Sequence, residues 1–243
     1  MLVGILWQLR SRFPEEVLDA VLDRWLAGTE QQRQAAGELV GGLAVLSLNE
    51  DPQSRRTVSI VAGGPSPERT GFAFSVVAAW SESDPVLRQN AHHVVVALAH
   101  DPDADVAAAI ATAFSKDRAL PPDQLTREVL DTIAANPVAL EAALSHWLLD
   151  ALGDLLMHPG FDEVVLTVLA AAVTLREGAP GRLEARGYGL GDDMVRLAIA
   201  LQRSDGQLRS KAMDVYERLL DANAYGAAQA AEASLRRGVP TVG

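Results

Sequence analysis

Apolar residues recur at helical spacing along the whole of this chain. The stretch 14–27, PEEVLDAVLDRWLA, places Val17, Leu18, Val21, Leu22, Trp25 and Leu26 on one stripe, the pattern of a helix that buries a single face. Pro14 and the two glutamates after it suit a first helical turn. Thr29 then caps TEQQRQAAGELVGGLAVLSL, with Glu30 and Gln32 early in the helix that follows. After a break at NEDPQ, the segment SRRTVSIVAGGPSP fits either a short helix or a short extended piece. From Pro67, PERTGFAFSVVAAWSE, DPVLRQNAHHVVVALAH and DADVAAAIATAFSK read as three helices, each break carrying Pro, Asp or Ser.

The second half repeats the theme. PPDQLTREVLDTIAA, NPVALEAALSHWLLDALGDLLMH and FDEVVLTVLAAAVTLRE predict three more helices. The glycine-rich stretch GAPGRLEARGYGLGD, at 178–192, interrupts before DDMVRLAIALQR, DGQLRSKAMDVYERLLDAN and YGAAQAAEASLRR. Roughly eleven or twelve helices joined by short turns point to a helical array rather than a four-helix bundle. No clear boundary divides 1–243, which reads as one helical-repeat domain with 178–192 as its best hinge candidate.

Two segments align residue for residue. Asp84, Leu87, Arg88, Ala91, Val94 and Leu98 match Asp205, Leu208, Arg209, Ala212, Val215 and Leu219, so both read D-x-x-L-R-x-x-A-x-x-V-x-x-x-L. A degenerate copy begins at Asp103, with Val106, Ala107 and Ile110 in register and Ala107 where the arginine would stand. The aspartate suits a turn, where its carboxylate caps free amides and meets the helix dipole. Leu, Ala, Val and Leu form the buried stripe, and the small alanine admits a neighbouring helix. The arginine lies beside that stripe, within reach of an aspartate of an adjacent repeat.

This pattern resembles the second half of a HEAT repeat. The resemblance implies an all-α, HEAT/armadillo-like solenoid of antiparallel helix pairs, with an arginine–aspartate ladder between neighbours. The two good copies cover under a fifth of the chain. LLMHPGFDEVVLTVLAAAV, the glycine-rich loop and LRSKAMDVYERLLDANAYGAAQA are similar to the carboxy-terminal helical regions of large bacterial P-loop ATPases of the STAND type. That likeness implies a sensor or regulatory array without its motor, because no G-x-x-x-x-G-K-[ST] occurs.

Composition narrows the classes. Apolar residues make up 49% and aromatics 5%, and alanine and leucine dominate, which favours helices over sheets. Cysteine is absent, excluding disulfides and thiolate chemistry and fitting a reducing cytoplasm. The longest apolar run, 164–175, is far short of the roughly 20 residues that span a bilayer. The opening MLVGILWQLRSRF lacks the basic start of a secretory signal and reads as a first amphipathic helix. Net charge is −11, and only Arg55-Arg56 and Arg236-Arg237 are locally basic, so a phosphate backbone would be repelled. Nineteen arginines accompany two lysines, Lys116 and Lys211, an imbalance read as genomic bias.

Candidate chemistry is thin. His92 and His93 are adjacent and diverge on a helix, His93 and His100 lie two turns apart, and no His pair has i, i+4 spacing. All read as partly exposed helix histidines. DPDAD opens like a calcium loop, yet positions 6 and 12 are Val106 and Thr112 instead of glycine and glutamate. Ser145, His146 and Asp150 are triad types, but neighbours on one helix do not converge. Each of Trp7, Trp25, Trp80 and Trp147 reads first as a core residue, with a partner anchor as the alternative. The expectation is therefore a non-enzymatic scaffold without cofactor or metal. It would bind another protein or the rest of a larger assembly, in the cytoplasm, and neither nucleic acid nor membrane.

Overall fold

The computed structural model describes residues 15–47, 63–81, 84–115, 120–178, 190–204 and 206–221. Among them every regular element is helical. They are α1 (Glu15–Leu26), α2 (Glu30–Ser47), α3 (Ser66–Trp80), α4 (Pro85–Ala99), α5 (Ala104–Ala111), a 3-10 turn at Thr112–Phe114, α6 (Gln124–Ala135), α7 (Pro137–Ala143), α8 (His146–Leu155), α9 (Asp162–Gly178), α10 (Leu190–Leu201) and α11 (Gly206–Asp221). The all-α class expected from periodicity and composition is the class adopted. No helix among the described residues is long and apolar enough to cross a membrane. The ambiguous segment 54–62, the expected helix at 225–237 and most of the proposed hinge, 179–189, lie outside the described residues.

One expected helix is two. The run 136–158 reads as continuous by periodicity, yet α7 stops at Ala143 and α8 starts afresh at His146. Ser145 takes an extended conformation, and its hydroxyl accepts a hydrogen bond from the Leu148 amide at 3.3 Å. A serine that competes for backbone amides favours a cap over a helix interior. The consequence is functional: α8 is a separate helix, carrying His146, Trp147, Asp150 and Asp154.

Side-chain caps start most of the short helices. Asp84, Asp103, Asp123 and Asn136 accept from amides of the first turns of α4, α5, α6 and α7. Thr29 and Gln32 bond reciprocally, Gln32 N to Thr29 Oγ1 at 3.3 Å and Thr29 N to Gln32 Oε1 at 2.8 Å. That is a capping box, each such cap contributing about 1 kcal/mol.

The chain divides into two compact units, Met1–Ala113 and Phe114–Gly243. In the first, α3 packs against α2, α4 and α5. Phe72, Ala73, Val76, Val77 and Trp80 are fully buried there. The α2–α3 crossing is backbone against backbone. A Cβ placed on Gly71 would lie 1.9 Å from the Gln34 carbonyl oxygen, and one on Gly37 would lie 2.0 Å from that of Glu68. Gly41 meets the Phe72 carbonyl in the same way, at 2.7 Å. Ser75 Oγ donates across the crossing to the Glu38 carbonyl at 2.6 Å. Burial raises the pKa of the Glu38 carboxyl beside this crossing.

In the second unit, α9 packs against α6, α7, α10 and α11, burying Val165, Leu169, Ala172 and Val173. Helix α8 packs on α10. It turns Leu148, Leu149, Leu152 and Leu155 into the core, which anchors it by roughly 1.5–3 kcal/mol per leucine before entropic costs. Trp147, Asp150 and Asp154 on its other side are exposed.

The two kinds of glycine predict opposite outcomes for one substitution. Gly71→Ala has no room and should destabilise the first unit by about 1–3 kcal/mol, overpacking outweighing the propensity gain. Gly153→Ala in α8 meets nothing closer than Leu197 Cδ2 at 3.8 Å and should be neutral or stabilising by up to about 1 kcal/mol. Urea unfolding followed by circular dichroism checks both. Equal effects would remove the close crossing from the account.

Candidate functional site

The repeat positions fold as helix-building elements. Asp84 Oδ1 accepts from the Val86 and Leu87 amides at 2.8 and 3.3 Å. Ala91 and Ala212 are both fully buried, as are Val215 and Leu219, while Leu87 and Leu208 are half-buried. Val94 is half-buried as well, and the neighbouring Val95 takes the core position. Asp205 lies outside the described residues.

The arginines reach backward along the chain. Arg88 Nη1 donates to the Trp80 carbonyl at the end of α3, 2.7 Å away, and the guanidinium lies 4.2 Å over the Trp80 ring. In the second copy, Arg209 Nε donates to the Gln202 carbonyl just beyond α10, at 2.9 Å. Both therefore bond carbonyls left free where the preceding helix ends. A third arginine, outside the repeat pattern, reaches forward instead: Arg127 Nη2 donates to the Gly160 carbonyl, in the turn before α9, at 2.7 Å, and its guanidinium sits over Phe161. Gly160 has φ +87°, a turn conformation other residues rarely adopt.

Among the described residues, an arginine–aspartate bridge links α3 to the α4–α5 turn through Arg69. Its guanidinium binds Asp101 through Nη1 and Asp103 through Nη2, the latter at 2.9 Å. Asp101 also accepts from the Asp103 amide at 2.9 Å, and Asp103 caps α5. The Ser66 hydroxyl, chiefly, together with the Asp105 and Val106 amides and Arg69, holds the Asp103 carboxyl below its usual range despite burial. DPDAD is thus a cap and an arginine clasp. Capping was legible from sequence; Arg69, more than thirty residues upstream, was not.

The histidines separate. His92 is buried, correcting the expectation that it is partly exposed, and its ring centroid lies 5.5 Å from that of the exposed His93. Among the described residues no group of three His, Cys, Asp or Glu side chains is arranged to hold a metal ion. His146 makes the contact that the sequence does not show. Its Nδ1 lies 2.6 Å from Asp193 Oδ2 on α10, and Asp193 Oδ1 accepts from Arg196 at 3.1 Å. Asp193, not Asp150, is the carboxylate beside this ring, while the Ser145 hydroxyl caps α8.

Around this contact, α8 and α10 enclose an open groove of about 770 Å³. Its acidic lining comes from Asp150, Asp154, Asp162 and Asp193, with Arg196 and Arg203 opposite. A neighbouring hollow of about 560 Å³ shares Asp150 and Asp193 and adds Trp147. Trp147 is 44% exposed and Met157, at the groove's other end, 82% exposed. Trp25 is half-buried and Trp80 fully buried, so among the described tryptophans the partner-anchor alternative suits Trp147 alone. Compared with known proteins, the chain matches no family model, no curated protein and no solved structure.

The buried and exposed repeat arginines predict unequal costs. Arg88→Ala should destabilise by about 2–4 kcal/mol, leaving a buried carbonyl unpaired and the Trp80 face uncovered. Arg209→Ala, at an exposed site, should cost under about 1 kcal/mol. Chemical denaturation of each variant measures the difference, and a reversed order would show that burial does not set the worth of these bonds.

Proposed function

We propose that this protein is a non-catalytic helical-repeat module that binds another protein, in the manner of HEAT- and armadillo-like scaffolds. The observation that carries the reading is the exposure of Trp147 and Met157 at two adjoining hollows, Trp147 at one and Met157 at the other. A half-exposed tryptophan is a large rigid apolar surface with a polar tip, the residue type most enriched among interface hot spots. Methionine adapts its shape to varied partners. Singly exposed apolar residues are ordinary, but these two line adjoining hollows that share Asp150 and Asp193.

The duplicated arginine supports the repeat part of the proposal. Arg88 and Arg209 sit at equivalent sequence positions, and each bonds a carbonyl at the end of the preceding helix. Recurrent elements joined by the same turn are the building rule of helical arrays, which present long surfaces to partners. The curved solenoid, the cytoplasmic setting and the exclusion of nucleic acid and membrane partners belong to this proposal. His146 and Asp193 serve in it as a link between α8 and α10; such a partly exposed pair contributes at most about 1 kcal/mol.

Affinity capture with the intact chain, run beside the double variant Trp147→Ala, Met157→Ser, tests the reading. A partner retained by the first and lost by the second, with folding unchanged by circular dichroism, is the expected result. Identical retention by both would remove the groove edge from the function.

A further inference from the structure

We infer that the groove between α8 and α10 takes a basic amphipathic helix, one whose arginines meet Asp150 and Asp154 and whose apolar face meets Met157. This inference rests on the interaction-module reading and specifies the chemistry of its partner.

The exposed face of α8 carries Trp147, Asp150 and Asp154 at i, i+3 and i+7, continued by Met157 just past the helix end. That order forms a line about 15 Å long, roughly three turns of helix. All four residues line the two adjoining hollows. The line runs from an aromatic ring through two carboxylates to a thioether.

The charges along it are unevenly satisfied. Asp193 is bound by His146 and Arg196, and Asp162 accepts from Ser204 Oγ at 3.1 Å. Asp150 and Asp154 have no ion-pair partner among the described residues. They stand one turn apart on one helix face, where like charges repel and cost helix stability. The same packing without that repulsion would hold with asparagine at both positions. A ligand bearing two cations one turn apart would relieve it.

The arginines opposite do not reverse this preference. Arg196 already faces Asp193, and the lining holds four aspartates against two arginines. The chain as a whole carries −11, which attracts a basic partner from a distance and speeds its encounter. Arginine fits better than lysine, because its planar guanidinium can bond a carboxylate through two N–H groups.

Fluorescence anisotropy on the full chain tests the assignment with defined peptides. The probe is a labelled alanine–leucine helix of about 15 residues, long enough to form in isolation, with arginines at i and i+4. A matched peptide carries glutamates there. The arginine peptide should bind at least about tenfold more tightly, and more weakly as salt rises. Asp150→Asn with Asp154→Asn should abolish that preference while slightly raising Tm, a change that unfolding would not produce. Equal binding of the two peptides, tighter binding of the glutamate peptide, or a preference that survives the double variant overturns the inference. The module reading fails separately, on partners retained without Trp147 and Met157.

Discussion

A chain built of short helices is governed by what happens at helix ends. Each end leaves amides or carbonyls that cannot bond within the helix, and a buried group left unpaired costs about 1–3 kcal/mol. This protein has described helices as short as seven and eight residues, so such ends are frequent. It answers with two devices. Asp, Asn, Ser and Thr side chains close the amino ends. Arg88, Arg127 and Arg209 bond the carbonyls of the turns packed beside them. Arginine suits the second task, since its guanidinium offers several donors while its flat face stacks on Trp80 or Phe161. The excess of arginine over lysine thus has a structural use in addition to any genomic bias.

Once the ends are fixed, the packing follows from small residues and apolar stripes. In the first unit, glycine lets α2 and α3 approach to backbone contact, a feature with a cost in helix propensity that close packing offsets. In the second, α9 is the common wall against which α6, α7, α10 and α11 lie. Helix α8 is a result of both rules. The Ser145 cap separates it from α7, its leucines hold it down, and what remains outward is the line of Trp147, Asp150 and Asp154. The groove is therefore set by the same chemistry that builds the fold.

The legible part of this fold was local. Periodicity placed the helices, and Asp84, Thr29 and the buried Ala91 and Ala212 behave as their spacing implies. Ser145 shows how a cap overrides an apolar stripe, because periodicity alone counts residues on a face and ignores competing backbone bonds. Contacts between distant segments could not be read at all. Arg69 with Asp101 and Asp103, and His146 with Asp193, join residues more than thirty positions apart. Arg88 shows the subtler case: its importance was legible, but the direction of its reach was not. The groove shared that fate, since α10 and the turn after it supply Asp193, Arg196, Leu197, Ala200, Arg203 and Ser204 from a distant part of the chain.

The central claim is that the outward face of α8 is a docking surface for a cationic helix, and Trp147 reports on it directly. Its indole N–H resonance, assigned through Trp147→Phe, can be followed while the arginine-bearing peptide is titrated into the labelled full chain. The account predicts a saturable shift at Trp147, with the resonance of the buried Trp80 unmoved. A Trp147 resonance that stays fixed while the peptide binds would place the docking surface elsewhere and contradict the account.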